Sequence, residues 1–314
     1  MRTLVLLGAF SALLLTAADI RLGIIGTDTS HATAFTKILN DATAPDHVAG
    51  ARVVAAYKGG SADIEASRSR VDQFATELRD KWQVKIVDTI EELCSQVDAV
   101  LLLSNDGRIH LAQARIVIAA HKPLFVDKPL ASTLEDAREI ARLANAESVP
   151  WFSSSSMRFD GVASLKSDDL EGAMTWGPGP LEEHHHLDLA LYAIHPIEML
   201  YTLMGQGCEE VTRISTPDSD VIVGRWKGGR IGTVQTLRPY GDYGAVVHRK
   251  NPKGQKSEVS QKVDGGYAPL VLEIVKFFQT GKTPVPNAET LEIFAFMDAA
   301  QRSKEAGGKP EALR

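Results

Sequence analysis

The stretch Gly26-Thr27-Asp28-Thr29-Ser30-His31 lies between an apolar run and a helical pattern, which is where a Rossmann fold holds the phosphates of a dinucleotide. That task normally needs glycines at three places, the second letting the backbone approach the pyrophosphate. Gly26 is present, but Asp28 and His31 stand at the second and third places. A carboxylate repels a pyrophosphate, whereas the Thr27, Thr29 and Ser30 hydroxyls and the helix amides attract one. On the other reading, Asp28 and Ser30 simply cap the helix. The next apolar run ends Tyr57-Lys58-Gly59-Gly60-Ser61, with no acid for the ribose hydroxyls of NAD. Lys58 and Ser61, with Arg68 beyond, suit a 2′-phosphate and favour NADP over NAD. Lys58 also reads as a solvated turn residue, and Asp63 is late for the ribose acid.

A second polar cluster runs through Glu182-Glu183-His184-His185-His186 to Asp188. These are metal-ligand residue types, yet adjacent histidines cannot all converge on one ion. A polar cleft loop is the preferred reading, and no metal is assigned. Cys94 and Cys208, the two cysteines, make neither a zinc pattern nor a disulfide framework.

The elements that position these groups follow two grammars. Apolar runs at Ile20–Gly26, Arg52–Tyr57, Val84–Val87, Ala99–Leu103, Pro123–Val126 and Val149–Phe152 alternate with amphipathic stretches such as 71–82, 111–120 and 134–146. That alternation predicts βαβ units and a parallel sheet. The unbroken apolar run Ala99–Leu103 fits a strand covered on both faces. After Pro150 the pattern predicts a strand near 172–176, a helix over 187–204 ending at Gly205, and strands over 210–214, 220–226, 231–237 and 244–249. Lys227-Gly228-Gly229-Arg230 reads as a hairpin turn. Two closing helices carry apolar faces at Leu270, Ile274, Phe277, Phe278 and at Ile293, Phe296, Met297, Ala300. The fold class expected is an α/β Rossmann-type domain with a parallel sheet over residues 19–150. An α+β domain with a mostly antiparallel sheet follows over 151–314, its C-terminal helices able to pack back on the first domain.

The 314 residues accommodate two domains, and 44% hydrophobic with 24% charged residues is the balance of a soluble protein. A net charge of −6 without a basic cluster excludes nucleic acid as the expected partner. Arg2, the apolar run Leu4–Leu15 and Thr16-Ala17-Ala18 read as a cleavable secretory leader over 1–18, too short for the roughly 20 apolar residues of a membrane span. An exported, periplasmic protein is expected, free of the membrane after cleavage. A misassigned start would leave it in the cytoplasm.

Three stretches, in order, resemble the Gfo/Idh/MocA oxidoreductases. The first is Ser104-Asn105-Asp106-Gly107-Arg108-Ile109-His110 with His121-Lys122-Pro123-Leu124-Phe125-Val126-Asp127-Lys128-Pro129-Leu130, similar to the family's polar loop ending in His and its Glu-Lys-Pro motif. The second is Leu191-Tyr192-Ala193-Ile194-His195-Pro196-Ile197-Glu198, similar to the family's Asp-x-Gly-x-His-x-x-Asp helix. The third is 281–286 with 299–303, near the C-terminal signature. The resemblance implies a hydride-transfer centre at Lys128 and His195 that also binds substrate. Ser104, Asn105, His110 and Asp127 then border the cofactor, and Arg158 is a substrate-binding arginine. Glu198, one turn from His195, would orient its ring, and Tyr192 is a further proton donor. Oxidising an alcohol requires its hydroxyl to lose a proton, which a histidine accepts near neutral pH. A desolvated lysine beside it lowers the barrier. The departures are Leu191 for the family aspartate and Ala193 for its glycine.

The function expected is an NAD(P)-dependent oxidoreductase of a sugar, polyol or carbohydrate derivative, working as a homo-oligomer by the resemblance. The alternatives are a redox-assisted sugar lyase or hydrolase with tightly held cofactor, and a non-catalytic carbohydrate-binding or scaffold protein with a degenerate nucleotide turn.

Overall fold

In the computed structural model, residues 18–314 are described apart from 252, 261, 262 and 264. The expected leader, 1–18, lies outside them except for Ala18. The first domain runs β1 Ile20–Ile25, α1 Ser30–Asn40, β2 Ala51–Tyr57, α2 Glu65–Arg68, α3 Val71–Trp82, β3 Lys85–Val87, α4 Ile90–Gln96, β4 Ala99–Leu102, α5 His110–Ala119, β5 Leu124–Val126, α6 Leu134–Ala146 and β6 Trp151–Ser153. Its strands form a six-stranded, all-parallel sheet in the order β3-β2-β1-β4-β5-β6. The crossover between β1 and β4 makes the switch point at which doubly wound folds bind ligands. Strand β4 is buried at every residue, as its unbroken apolar run requires. Thr29, Thr89 and Thr133 cap α1, α4 and α6 through their hydroxyls, fixing where each helix leaves its loop.

The second domain runs β7 Leu170–Pro178, α7 Ile194–Met204, β8 Cys208–Ser215, β9 Ser219–Trp226, β10 Ile231–Leu237, β11 Gly244–Asn251, β12 Gly254–Ser260, α8 Tyr267–Thr280, α9 Asn287–Glu305 and β13 Glu311–Ala312. Its seven strands are ordered β12-β11-β7-β10-β9-β8-β13, antiparallel except for the β7–β10 pair. The turn at 227–230 joins β9 to β10, and Gly228 and Gly229 take φ of +78° and +81°, which side chains disfavour. One face of this sheet packs on α7 and α9 around Trp226, Leu200 and Phe296. Helix α8 instead lies on the first sheet, where Leu270, Ile274 and Phe277 join Phe35, Phe125 and Phe152. Among the described residues, no helix is long and apolar enough to cross a membrane.

The helix expected from Leu187 starts seven residues later, at Ile194. Asp188 is held by Arg213 at 2.7 Å and Lys304 at 2.6 Å, and the Leu187 amide donates to the Ser132 carbonyl. These tertiary bonds hold 187–193 in turns despite its apolar spacing. The hairpin strand β12 and the terminal β13 lie where no strand was expected. Both are edge strands with polar faces and little apolar signal.

Candidate active site

Gly26 ends β1 with φ +95°, and a methyl group there would lie 2.3 Å from the Ser104 backbone nitrogen. The turn after β1 and the loop after β4 are therefore in backbone contact. Asp28, fully buried, ties them together by accepting from the Asn105 amide at 3.2 Å and the Ser67 hydroxyl at 2.6 Å. Burial pushes its carboxyl above the usual range. The Thr27 hydroxyl is spent on the Val71 carbonyl at 2.8 Å, and Thr29 caps α1 by accepting from the His31 amide.

The loop after β2 lies on this turn. Gly59 packs against Gly26 and Ser104, and Ser61 donates to Asp106 at 2.5 Å. Asp106 is a buried hub that also accepts from Arg108 and faces His185 Nε2 at 3.0 Å. Arg108 extends the bridge to Asp63. Lys58, half exposed, pairs with Asp72 at 2.8 Å.

Across the switch point a cavity of about 310 Å3 opens between the domains. Thr29, Ser30, His31 and Asn105 line it from the first domain, as does Lys128, which follows β5. Leu191, Tyr192, His195, Tyr240 and Tyr243 face them from the second, joined by Tyr267 at the start of α8. The Lys128 ammonium donates to the Leu191 carbonyl at 3.3 Å and lies 5.8 Å from the Tyr192 ring centre. Burial lowers its pKa, opposed by the charge of Asp127. His195 Nδ1 is 2.7 Å from the Ser155 hydroxyl. Burial first, and then the Lys128 ammonium, hold His195 well below its ordinary pKa, so the ring is neutral at pH 7. His31 Nδ1 lies 2.5 Å from Asp127.

Of the residues singled out in the sequence, the fold brings Thr29, Ser30, His31, Asn105, Lys128, Tyr192 and His195 to the cavity wall. Glu198 does not orient His195: it pairs with Arg158, and Ser155 holds the ring instead. Arg158 is 6% exposed, enclosed by Glu198 and Glu289, and is not among the residues that line this cavity. The ion pair between them, and not their place in the chain, turns both side chains away from the cavity wall. His110 is buried, its nitrogens on the Ser104 and Leu130 carbonyls, and the Ser104 hydroxyl donates to Gln113. These two brace the loop after β4 from beneath. His184 turns outward onto Glu182, His185 turns inward to Asp106, and His186 is exposed. Among the described residues, no three potential ligands share a metal position. Arg70, Ser155, Tyr240, Tyr243 and Tyr267 join the site without a sequence signal, because their spacing along the chain encodes nothing about the cleft.

A dinucleotide fits one end of this groove and not the other. At the cavity end, the first turn of α1, Asn105 and Lys128 offer donors to a nicotinamide riboside and phosphate. At the adenosine end, the β2 loop covers the first turn, where Asp28 is occupied by Ser67 and Asn105, and Ser61 by Asp106.

The model of the oxidoreductase family with an NAD-binding Rossmann fold, GFO_IDH_MocA, matches residues 20–154. An inositol 2-dehydrogenase of Cereibacter sphaeroides is 34% identical over 130 residues, 40% of this chain and 33% of that protein. One of Agrobacterium fabrum is 31% identical over 125 residues, 38% of this chain and 32% of that protein. The chain thus spans about a third of the length of the curated relatives it matches. Solved structures align over nearly all of it. The myo-inositol dehydrogenase of Lactobacillus casei, in complex with NAD(H) and myo-inositol, gives a TM-score of 0.72 at 18% identity, covering 95% of this chain and 97% of that one. The myo-inositol 2-dehydrogenase of Lactobacillus plantarum gives 0.73 at 13%, covering 95% and 100%. At such identities these structures speak for the fold in both domains. Over residues 20–154 the chain is thus similar to the Gfo/Idh/MocA oxidoreductases, in the Rossmann domain of that family.

Proposed function

We propose that the protein is an NAD(P)-dependent oxidoreductase of a sugar, polyol or related carbohydrate. The observation that carries this reading is the meeting of the Lys128 ammonium and a neutral His195 in one interdomain cavity. The free nitrogen of His195 accepts the proton of the substrate hydroxyl, while the hydroxyl of Ser155 at Nδ1 fixes the ring. The ammonium of Lys128, partly desolvated, stabilises the oxygen as negative charge develops. Tyr192, whose ring lies beside Lys128, closes the wall on the second-domain side. A bound dinucleotide supplies the hydride acceptor. Ser30, Asn105 and Lys128 would hold its nicotinamide end, and the absence of an acid at the tip of β2 favours NADP. The relatives' names point to a cyclitol or similar polyol as the substrate class.

The leader at 1–18 directs the chain out of the cytoplasm in this reading. Export removes it from the free nucleotide pool and suits a tightly held cofactor. The open face of the second sheet, with exposed Ile214, Val221 and Ile231 on neighbouring strands, pairs copies of the chain. The buried Asp28 favours one rival, a carbohydrate-binding protein without cofactor.

The test uses the mature chain, residues 19–314. Nucleotide released on denaturation is identified by mass spectrometry, and stripped protein is titrated with NAD(H) and NADP(H). Binding, with polyol oxidation abolished in Lys128→Met and His195→Ala, supports the reading. No binding of any form overturns it in favour of the rival.

A further inference from the structure

His31 has no task in the dehydrogenation just described, yet it is among the most firmly placed side chains in the cleft. It stands where a Rossmann turn takes its third glycine. Its ring stacks on Phe35 at 5.3 Å and meets the edge of Tyr267 at 4.7 Å. Nδ1 lies 2.5 Å from Asp127 Oδ2, and the two side chains are only 12% and 4% exposed. The ring lines the cavity that also holds Lys128. A neutral ring that donates Nδ1–H to Asp127 carries its lone pair on Nε2, the arrangement of an oriented general base. Asp127 is not saturated by structural bonds as Asp106 is, since its Oδ1 is buried without a hydrogen-bond partner. An unmade buried bond is costly, and this one lies beside the cavity, next to Lys128.

We propose that His31, oriented by Asp127, removes a proton from the carbon next to a substrate carbonyl, so that this cleft enolises keto-sugars without a dinucleotide. The inference rests on the polyol reading, since a polyol oxidised here becomes such a ketone. The C–H bond breaks and its proton passes to Nε2 of His31. The electron pair forms the carbon–carbon double bond of an enolate, and the carbonyl pair moves to oxygen, where the Lys128 ammonium holds it. Return of the proton regenerates the ketone. Nothing is oxidised or reduced, and no co-reactant is consumed.

The test follows exchange of the α-proton of the C2 ketone of myo-inositol in deuterium oxide by NMR, with nucleotide-free full-length chain. A positioned base contributes about a hundredfold or more, so wild type should exceed His31→Gln by that factor. Asp127→Asn, which keeps the ring in place but loses the acceptor charge, should fall between them. Both variants are checked for wild-type melting temperature. Exchange at the wild-type rate in folded His31→Gln overturns the proposal, as does wild type that binds the ketone without exchanging it. Nucleotide-dependent polyol oxidation is measured on the same samples. Oxidation without exchange sinks only this proposal, and exchange that depends on His31 without oxidation sinks only the dehydrogenase reading.

Discussion

Replacing Arg158 with methionine separates a substrate contact from a structural one. The guanidinium is enclosed by the carboxylates of Glu198, 2% exposed, and Glu289, whose Oε1 lies 2.7 Å from Nη1. Methionine fills much of the same volume but leaves both acids facing each other in a dry site. Removing one partner from a buried ion pair costs about 3–5 kcal/mol. Nη2 of Arg158 is itself buried without a partner, which places the expected loss at the lower end, about 3 kcal/mol. Against a total stability of about 5–15 kcal/mol the variant still folds. Its melting temperature falls by roughly 10 °C, at about 2–4 °C per kcal/mol for a chain of this order. Adding Glu198→Gln removes one stranded charge and restores part of the loss. Thermal unfolding measures the stability, and calorimetric titration with myo-inositol measures the site. An Arg158→Met protein with wild-type melting and a tenfold weaker polyol affinity would refute the reasoning and return Arg158 to the cleft.

Gly26→Ala forces a side chain into φ +95° against the Ser104 backbone, and should cost more than about 2 kcal/mol in denaturant unfolding. Asp220 is fully buried; burial would raise its carboxyl, but Arg213 at 2.9 Å and Arg238 bring it from an ordinary 3.8 down to about 2. A carboxyl depressed in the folded state stabilises fully above the unfolded value and loses that contribution as pH falls through the folded one. About 2 kcal/mol should therefore disappear between pH 4 and pH 2, and a constant stability gap between wild type and Asp220→Asn over that interval contradicts it. Ile231→Lys on the open sheet face should leave a monomer by light scattering, and an undisturbed oligomer would place the interface elsewhere.

The parallel sheet was legible because its strands are short apolar runs separated by helical periodicity, a pattern that depends on local sequence alone. The positions of Lys128 and His195 in the cleft were legible only through motifs, since nothing in their own spacing places them together. Glu198 shows the limit of helical arithmetic. It lies one turn from His195, yet its carboxylate pairs with the buried Arg158 while Ser155 holds the ring. Asp188 shows another: an apolar stretch that repeats like a helix stays unwound because Arg213 and Lys304, remote in sequence, hold it. Ser155 sits in a run of four serines, Ser153–Ser156, and only the tertiary fold distinguishes it from its neighbours.

The two residues that break the glycine pattern do different things, which a motif score would merge into one defect. Asp28 turns inward and spends its carboxylate on Ser67 and Asn105, so it substitutes an internal anion for the phosphate a glycine would admit. His31 turns toward the cavity and keeps one nitrogen available. The first change weakens the case for a dinucleotide, whereas the second adds proton chemistry that needs none. A chain that had merely lost its cofactor would have no reason to hold a histidine against Asp127 at the wall of the cavity. The combination therefore argues for a cleft still used for chemistry on a small polar ligand, with the cofactor's share of that chemistry decided at Asp28 and the protein's own share at His31.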